Sequence, residues 1–343
     1  QRFRKLGDVN VSTSKLNPLT IEDKIYRVGQ EEYLGHHADG RPIPRHYKGG
    51  RLPRSFSSDN GKIDLLAAME RSSNPYFALL AGDHLNEPND LARAASLFSY
   101  GTQTGITLPS EIAGKVPSDL NNNRTGLYAF SIGQHELVVT PLQTAVMLSA
   151  IANGGKVYQP KIVKQRIDAN HKILPTVSTI RQELFMPDQV RRFILEGMHR
   201  VVERSQQFAL GSLQAMYRNY PDAIRDFVDI KGQLVGKTST GESVENIDFD
   251  PSHGGRMYNS LWFGGISFDN TGNQSNTFVL RDKFGKPELV VVVYLRFGSY
   301  GKDTIPLAAQ MIKKWRQIKQ TNGLTPHPKI GGEVSWSSSS SYQ

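Results

Sequence analysis

The sequence predicts an α+β fold, and three observations lead there. Apolar residues recur at helical spacing through the middle of the chain. The last third carries two strand-length apolar runs, at 260–268 and 289–295, followed by an amphipathic helical pattern at 305–318. Between these regions lies L-V-G-K-T-S-T-G-E-S (234–243), whose alternation fits a strand with Lys237, Ser239 and Gly241 on one face and Thr238 and Thr240 on the other. Helices grouped before strands, rather than alternating with them, are the mark of α+β.

Taken in order, residues 1 to about 60 are polar and rich in Gly, Pro and Arg, and read as irregular covering structure. From Ile63 the spacing turns helical through Leu66, Ala67 and Met69 to Phe77 and Leu80, broken at Ser72-Ser73-Asn74-Pro75. A helix is expected over 90–98, and loops punctuated by Gly101, Gly105 and Gly114 follow. Thr140-Pro141-Leu142-Gln143 opens the clearest helix, with an N-cap threonine, proline in the first turn and glutamine completing a capping box. It ends at Asn153-Gly154-Gly155. A further helix is expected over 187–203, residues 205–230 read as an insertion, and Trp315 and Met311 are expected in the core. The serine run 337–341 is low in complexity and is expected to form a flexible tail over 331–343.

Composition narrows the function. The 343 residues are 38% hydrophobic and 21% charged, as in soluble globular chains. The absence of cysteine excludes disulfides, thiolate metal sites and a cysteine nucleophile. The net charge of +9 is dispersed, and no nucleic-acid-binding signature accompanies it, so no nucleic-acid partner is expected. The nine histidines show no H-E-x-x-H spacing, and neither a metal nor another cofactor is expected. Residue 1 is Gln and no apolar run reaches about 18 residues, so the chain is expected to be part of a longer polypeptide with any targeting segment outside it.

The chemistry concentrates in two motifs. A lysine on a strand lining a cleft holds a carboxylate, and the strand's unpaired N–H groups stabilise an oxyanion. Arg71-Ser72-Ser73-Asn74-Pro75 falls where a helix breaks into a turn. By itself it is an ordinary cap. Paired with Lys237 it gains meaning, because a serine hydroxyl and a lysine amine in reach of one another pass a proton and Asn74 can hold a substrate amide.

The chain resembles the penicillin-binding proteins, the D,D-transpeptidases of the bacterial cell wall, whose S-x-x-K, S-x-N and K-[ST]-G motifs are related to those of serine β-lactamases. The resemblance rests on A-M-E-R-S-S-N-P-Y-F (68–77), F-S-Y-G-T-Q-T-G-I-T-L-P-S-E-I-A-G-K-V-P (98–117), S-I-G-Q-H-E-L-V-V-T-P-L-Q (131–143), A-I-A-N-G-G-K (150–156), G-K-T-S-T (236–240) and W-F-G-G (262–265), in the family's order. It implies an antiparallel sheet packed between helices in a transpeptidase domain over 1–330 whose N-terminal part precedes residue 1. It also implies acylation of a serine by stem peptides and by β-lactams, no cofactor, and attachment to the inner membrane with the domain on the periplasmic side. Partners in the cell-wall synthesis or division machinery follow from the same likeness. The S-S-N-P-Y-F wording is closer to the monofunctional, class B type. The alternatives are a non-catalytic scaffold or β-lactam sensor, and a D,D-carboxypeptidase or β-lactamase.

By this resemblance Ser72 relays a proton, Asn74 orients the acyl group, and Lys237 with Thr238, Ser239 and Thr240 forms the carboxylate-holding strand. Ser12-Thr13-Ser14-Lys15 has the letters of S-x-x-K, 60 residues before Ser72, which would make Ser12 the nucleophile and Lys15 its proton acceptor. Pro18 and the charges after Lys15 do not fit the long apolar helix that follows the family's motif. A nucleophile upstream of residue 1 therefore stands beside Ser12. Ser239 occupies the place of the glycine in K-T-G. Glu111, Gln134 and His135 are expected to stabilise loops, and Tyr100 and Tyr128 to line the cleft.

Overall fold

A computed structural model describes residues 16–204, 221–245, 256–269 and 286–321, and the structural statements below concern those residues. Strands β1 (Ile21–Val28), β2 (Glu31–His37), β3 (Pro42–Pro44) and β6 (Asp59–Ile63) form an antiparallel sheet in the order β3-β2-β1-β6, and the short β4 (His46–Tyr47) and β5 (Gly50–Arg51) pair beside it. The irregular covering expected from the composition is thus a sheet from residue 21 onward. Its strands are polar on the outside, and one face buries Ile21, Leu34, Ile43 and Ile63 against Tyr76, Leu79 and Tyr128.

Helix α1 (Leu65–Arg71) starts at Asp64, whose carboxylate accepts the Ala67 N–H, and stops at Ser72 in the left-handed conformation (φ 52°, ψ 51°). Helix α2 (Asn74–His84) restarts at once, capped by Ser73. Then come α3 (Asp90–Leu97), α4 (Arg124–Phe130) and α5 (Pro141–Asn153), the last with the expected Thr140–Gln143 capping box and a left-handed Gly154. A small excursion follows: β7 (Lys156–Tyr158), β8 (Gln165–Ile167), β9 (Ile173–Pro175) and β10 (Ile180–Glu183), where β7 pairs with β10 and β8 with β9. Helices α6 (Asp188–Arg204) and α7 (Pro221–Ile230) lead into the second sheet.

That sheet is antiparallel in the order β11-β12-β13, with β11 (Leu234–Glu245), β12 (Arg256–Asp269) and β13 (Lys286–Leu295). Strand alternation sends Leu234, Phe263, Val291 and Val293 to one face, where they pack with Val201 and Val202 of α6, Phe227 and Ile230 of α7, and Ile305 and Ile312 of α8 (Ile305–Thr321). Val235, Ile266 and Phe268 go to the other face, against Leu148 and Ile151 of α5 and Leu195 and Met198 of α6. The sheet is therefore layered between helices, as the resemblance implied. On α8, Ile305, Ala308, Ala309 and Ile312 face this core, whereas Met311 is 54% exposed and Trp315 37%. These two were expected inside, but they lie on a separate line of the helix that points outward. Among the described residues no helix is long and apolar enough to cross a membrane.

Candidate active site

The break between α1 and α2 and the middle of β11 meet across 165 residues of sequence: the Lys237 ammonium donates to Ser72 Oγ. Lys237 also donates to the Thr238 carbonyl at 3.0 Å. It faces α5 with Val235, and its cross-strand partner on β12 is Gly264, whose missing side chain makes room for Leu148 of α5. A Cβ on Gly264 would lie 2.8 Å from Leu148 Cδ1, so only glycine lets the sheet settle this close to α5. Burial lowers the Lys237 pKa from its ordinary 10.5 to about 8. The amine is thus balanced between a cation that holds an anion and a neutral base that exchanges a proton with the Ser72 hydroxyl.

Ser72 owes its place to the two helix ends. Its left-handed backbone, unusual outside glycine, turns the chain sharply, while its N–H bonds back to Met69 O and the Ser73 N–H to Ala68 O. Ser73 caps α2 by accepting the Tyr76 N–H at 3.3 Å and is wholly buried. Asn74 donates from Nδ2 to the Arg54 carbonyl at 2.7 Å, which fixes the amide and leaves its oxygen Oδ1 as an acceptor. Close packing of α1 on α6 supports the turn, for a Cβ on Gly197 would meet Met69 Sδ at 2.4 Å.

Among the described residues the strand order leaves one side of β11 unpaired by the sheet. Two contacts identify which groups face that side. The Thr238 carbonyl takes the Lys237 ammonium, and the Thr240 carbonyl takes Gln134 Nε2 at 3.4 Å. A strand residue's N–H and C=O point the same way, so the Thr240 N–H also lies on the open edge. It is free to act as an oxyanion donor. Of the three hydroxyl residues after Lys237, Thr238 is only 7% exposed, whereas Ser239 and Thr240 are exposed. Thr240 Oγ1 accepts the Gly301 N–H at 3.1 Å. Gly301 has to be glycine, since a Cβ there would lie 2.7 Å from the Ser239 carbonyl oxygen. The face bearing Lys237 and Ser239 continues onto Trp262 and Tyr294, whose rings meet at 4.5 Å in a tilted arrangement.

Of the residues proposed from sequence, Ser72 and Lys237 are joined by a hydrogen bond, Asn74 opens α2 just after Ser72, Ser239 and Thr240 are exposed on β11, and Thr238 is buried on the same strand. Ser12 and Lys15 lie outside the described residues. Glu111 braces a loop, accepting the Thr104 and Gly105 N–H groups at 2.6 and 3.1 Å, and His135 bonds Asp119 at 2.9 Å. Tyr128, expected at the cleft, is buried in the first core and donates to the Tyr47 carbonyl. The roles of Gly301 and Gln134 on β11 were not foreseen, because tertiary packing alone brings those loops to the strand. Among the described residues no group of His, Asp and Glu is arranged to hold a metal.

The family described as Penicillin binding protein transpeptidase domain matches residues 44–273. Penicillin-binding protein H of Bacillus subtilis is 34% identical over 152 residues, which cover 38% of this chain and 21% of that protein. Peptidoglycan D,D-transpeptidase MrdA of Acinetobacter baumannii is 25% identical over 284 residues, 80% of this chain and 38% of that protein. The chain thus spans between about a fifth and two fifths of the length of these relatives. The structure of penicillin-binding protein 3 from Mycobacterium tuberculosis complexed with ampicillin superposes with a TM-score of 0.55 at 19% identity, covering 91% of this chain and 59% of that one. With a family match over well more than half of its residues, the chain belongs to the penicillin-binding protein transpeptidase domain family.

Proposed function

We propose that this chain forms the substrate-holding part of a serine D,D-transpeptidase site, which cross-links peptidoglycan stem peptides through an acyl-enzyme and is acylated by β-lactams. The observation that carries the reading is the Lys237–Ser72 hydrogen bond, which joins the S-S-N turn to the lysine strand. In the reaction a serine attacks the penultimate D-Ala carbonyl, the terminal D-Ala leaves with a proton, and an amine of a neighbouring stem peptide takes the acyl group. Lys237 and the exposed Thr240 hydroxyl hold the terminal carboxylate. The Thr240 N–H receives the oxyanion, Ser72 relays the proton to the leaving amine, and Asn74 positions the acyl side chain. The nucleophile belongs to an S-x-x-K motif, either Ser12 with Lys15 or one preceding residue 1.

The wider setting rests on the same reading. The transpeptidase domain covers 1–330, the enzyme is of the class B type, and it works beside the cell-wall synthesis or division machinery on the periplasmic side of the inner membrane, to which it is anchored. A second reading, a non-catalytic scaffold or β-lactam sensor, is favoured by Ser239 in place of the glycine of K-T-G. A fluorescent penicillin separates the two. Stable labelling of the full-length protein that Lys237→Ala abolishes supports the transpeptidase. No labelling of the natural protein, with labelling of Ser239→Gly, supports the scaffold, and rapid turnover of the label points to a hydrolase.

A further inference from the structure

We infer that Asp23, on β1, is a positioning residue for the S-S-N turn, holding Ser72 in its strained conformation from both sides. Asp23 is wholly buried, and three side chains converge on its Oδ2: Ser73 Oγ at 2.6 Å, Ser55 Oγ at 2.7 Å and Asn60 Nδ2 at 2.7 Å. Each of the three continues to a residue of the turn. Ser73 is itself the residue between Ser72 and Asn74. Ser55 Oγ accepts the Asn74 N–H at 3.2 Å, and the Asn60 carbonyl accepts the Arg71 guanidinium. The residues immediately before and after Ser72 are thus tied through one carboxylate, and so is Asn74.

A left-handed serine is strained and persists only where its surroundings over-determine it. Neighbouring backbone bonds supply part of that constraint, but they come from α1 alone. Asp23 links the turn to a different sheet. A charged acceptor suits three donors arriving at one oxygen, because charge-assisted bonds are about twice as strong as neutral ones. The other oxygen, Oδ1, is buried with no partner among the described groups, so an amide nitrogen placed there by Asp23→Asn would find no acceptor. The cost of a lone buried acceptor is tolerated where a carboxylate has a task besides stability.

The inference rests on the function proposed above, and two measurements keep the two apart. First, the second-order rate constant for labelling by a fluorescent penicillin is measured together with the number of labelled sites in the full-length protein. Asp23→Ala is expected to lower the rate constant of the sites that still label by 30-fold or more, and Asp23→Asn by about tenfold. A merely structural role would lower only the number of sites, and an unchanged rate constant in the labelled fraction overturns the inference. Second, amide hydrogen exchange over residues 70–77 reads the turn without any ligand. Faster exchange there in Asp23→Asn than in the natural protein supports the clamp, and unchanged exchange overturns it. If the natural protein fails to label while exchange responds as described, the clamp stands and the transpeptidase reading falls.

Discussion

Raising the pH from 7 to 10 is expected to stabilise the natural protein relative to its Lys237→Met variant. Burial brings the Lys237 pKa down from 10.5 to about 8, whereas unfolding returns the amine to its ordinary value. Between the two values the unfolded chain binds more protons than the folded one, so stability rises with pH across that window. Below pH 8 both states are protonated, and folding carries the whole cost of desolvating the ammonium. A gap of roughly 2.5 at about 1.36 kcal/mol per pKa unit amounts to about 3 kcal/mol, of which about 2.5 kcal/mol is recovered by pH 10. Lys237 keeps some solvent contact, so screening trims this to roughly 1.5–2.5 kcal/mol. Urea unfolding of both proteins at pH 7, 8, 9 and 10 and constant salt reads the difference directly, since all other titrating groups are shared. A difference that stays flat to within about 0.5 kcal/mol from pH 7 to pH 10 would refute the argument, because the amine would then titrate alike in both states.

Other outcomes follow from the same geometry. Labelling by a carboxylate-bearing penicillin should fall about tenfold per pH unit above about 8, as the ammonium that holds the carboxylate is lost, and a pH–rate profile checks it. Gly301→Ala forces β11 away from the 298–304 loop. It should cost about 1–3 kcal/mol in unfolding free energy and slow labelling as the Thr240 N–H shifts. Gln143 Nε2 is shared by the carbonyls of Ser99, Thr102 and Ala113 at 3.0, 2.8 and 2.7 Å; the Ser99 carbonyl also accepts from Thr102, so Gln143→Leu strands the other two. A loss of about 3 kcal/mol or more is expected in urea unfolding.

The helical centre and the lysine strand were legible because local rules and tertiary demands agree there. Thr140, Pro141 and Gln143 specify a helix start whatever packs around it, and the alternation about Lys237 survives in the folded strand. The first sheet was not legible, since β3, β4 and β5 are only 3, 2 and 2 residues long and β1 and β2 carry few apolar residues among charged ones. One signal was present. Ile21, Asp23 and Ile25 share a strand face, and a carboxylate in line with two isoleucines marks a buried polar group that needs donors. What no strand pattern conveys is that those donors come from 55, 60 and 73. Likewise, the apolar residues of α8 form two lines, and only the completed sheet decides that Ile305, Ala308 and Ile312 are inside while Met311 is not.

The open side of β11 has a bearing on how the protein behaves at high concentration. A strand edge with unpaired N–H and C=O groups recruits other strands, and exposed flat apolar edges are where chains aggregate. Here the segment around Lys237 meets solvent with a partly charged lysine, Ser239 and Thr240, and Gln134 already occupies the Thr240 carbonyl. The residues proposed to hold the substrate are thus the ones that discourage a second protein strand from docking. Replacing Ser239 and Thr240 with valine would strengthen the strand's intrinsic preference while turning a guarded edge into a self-association site.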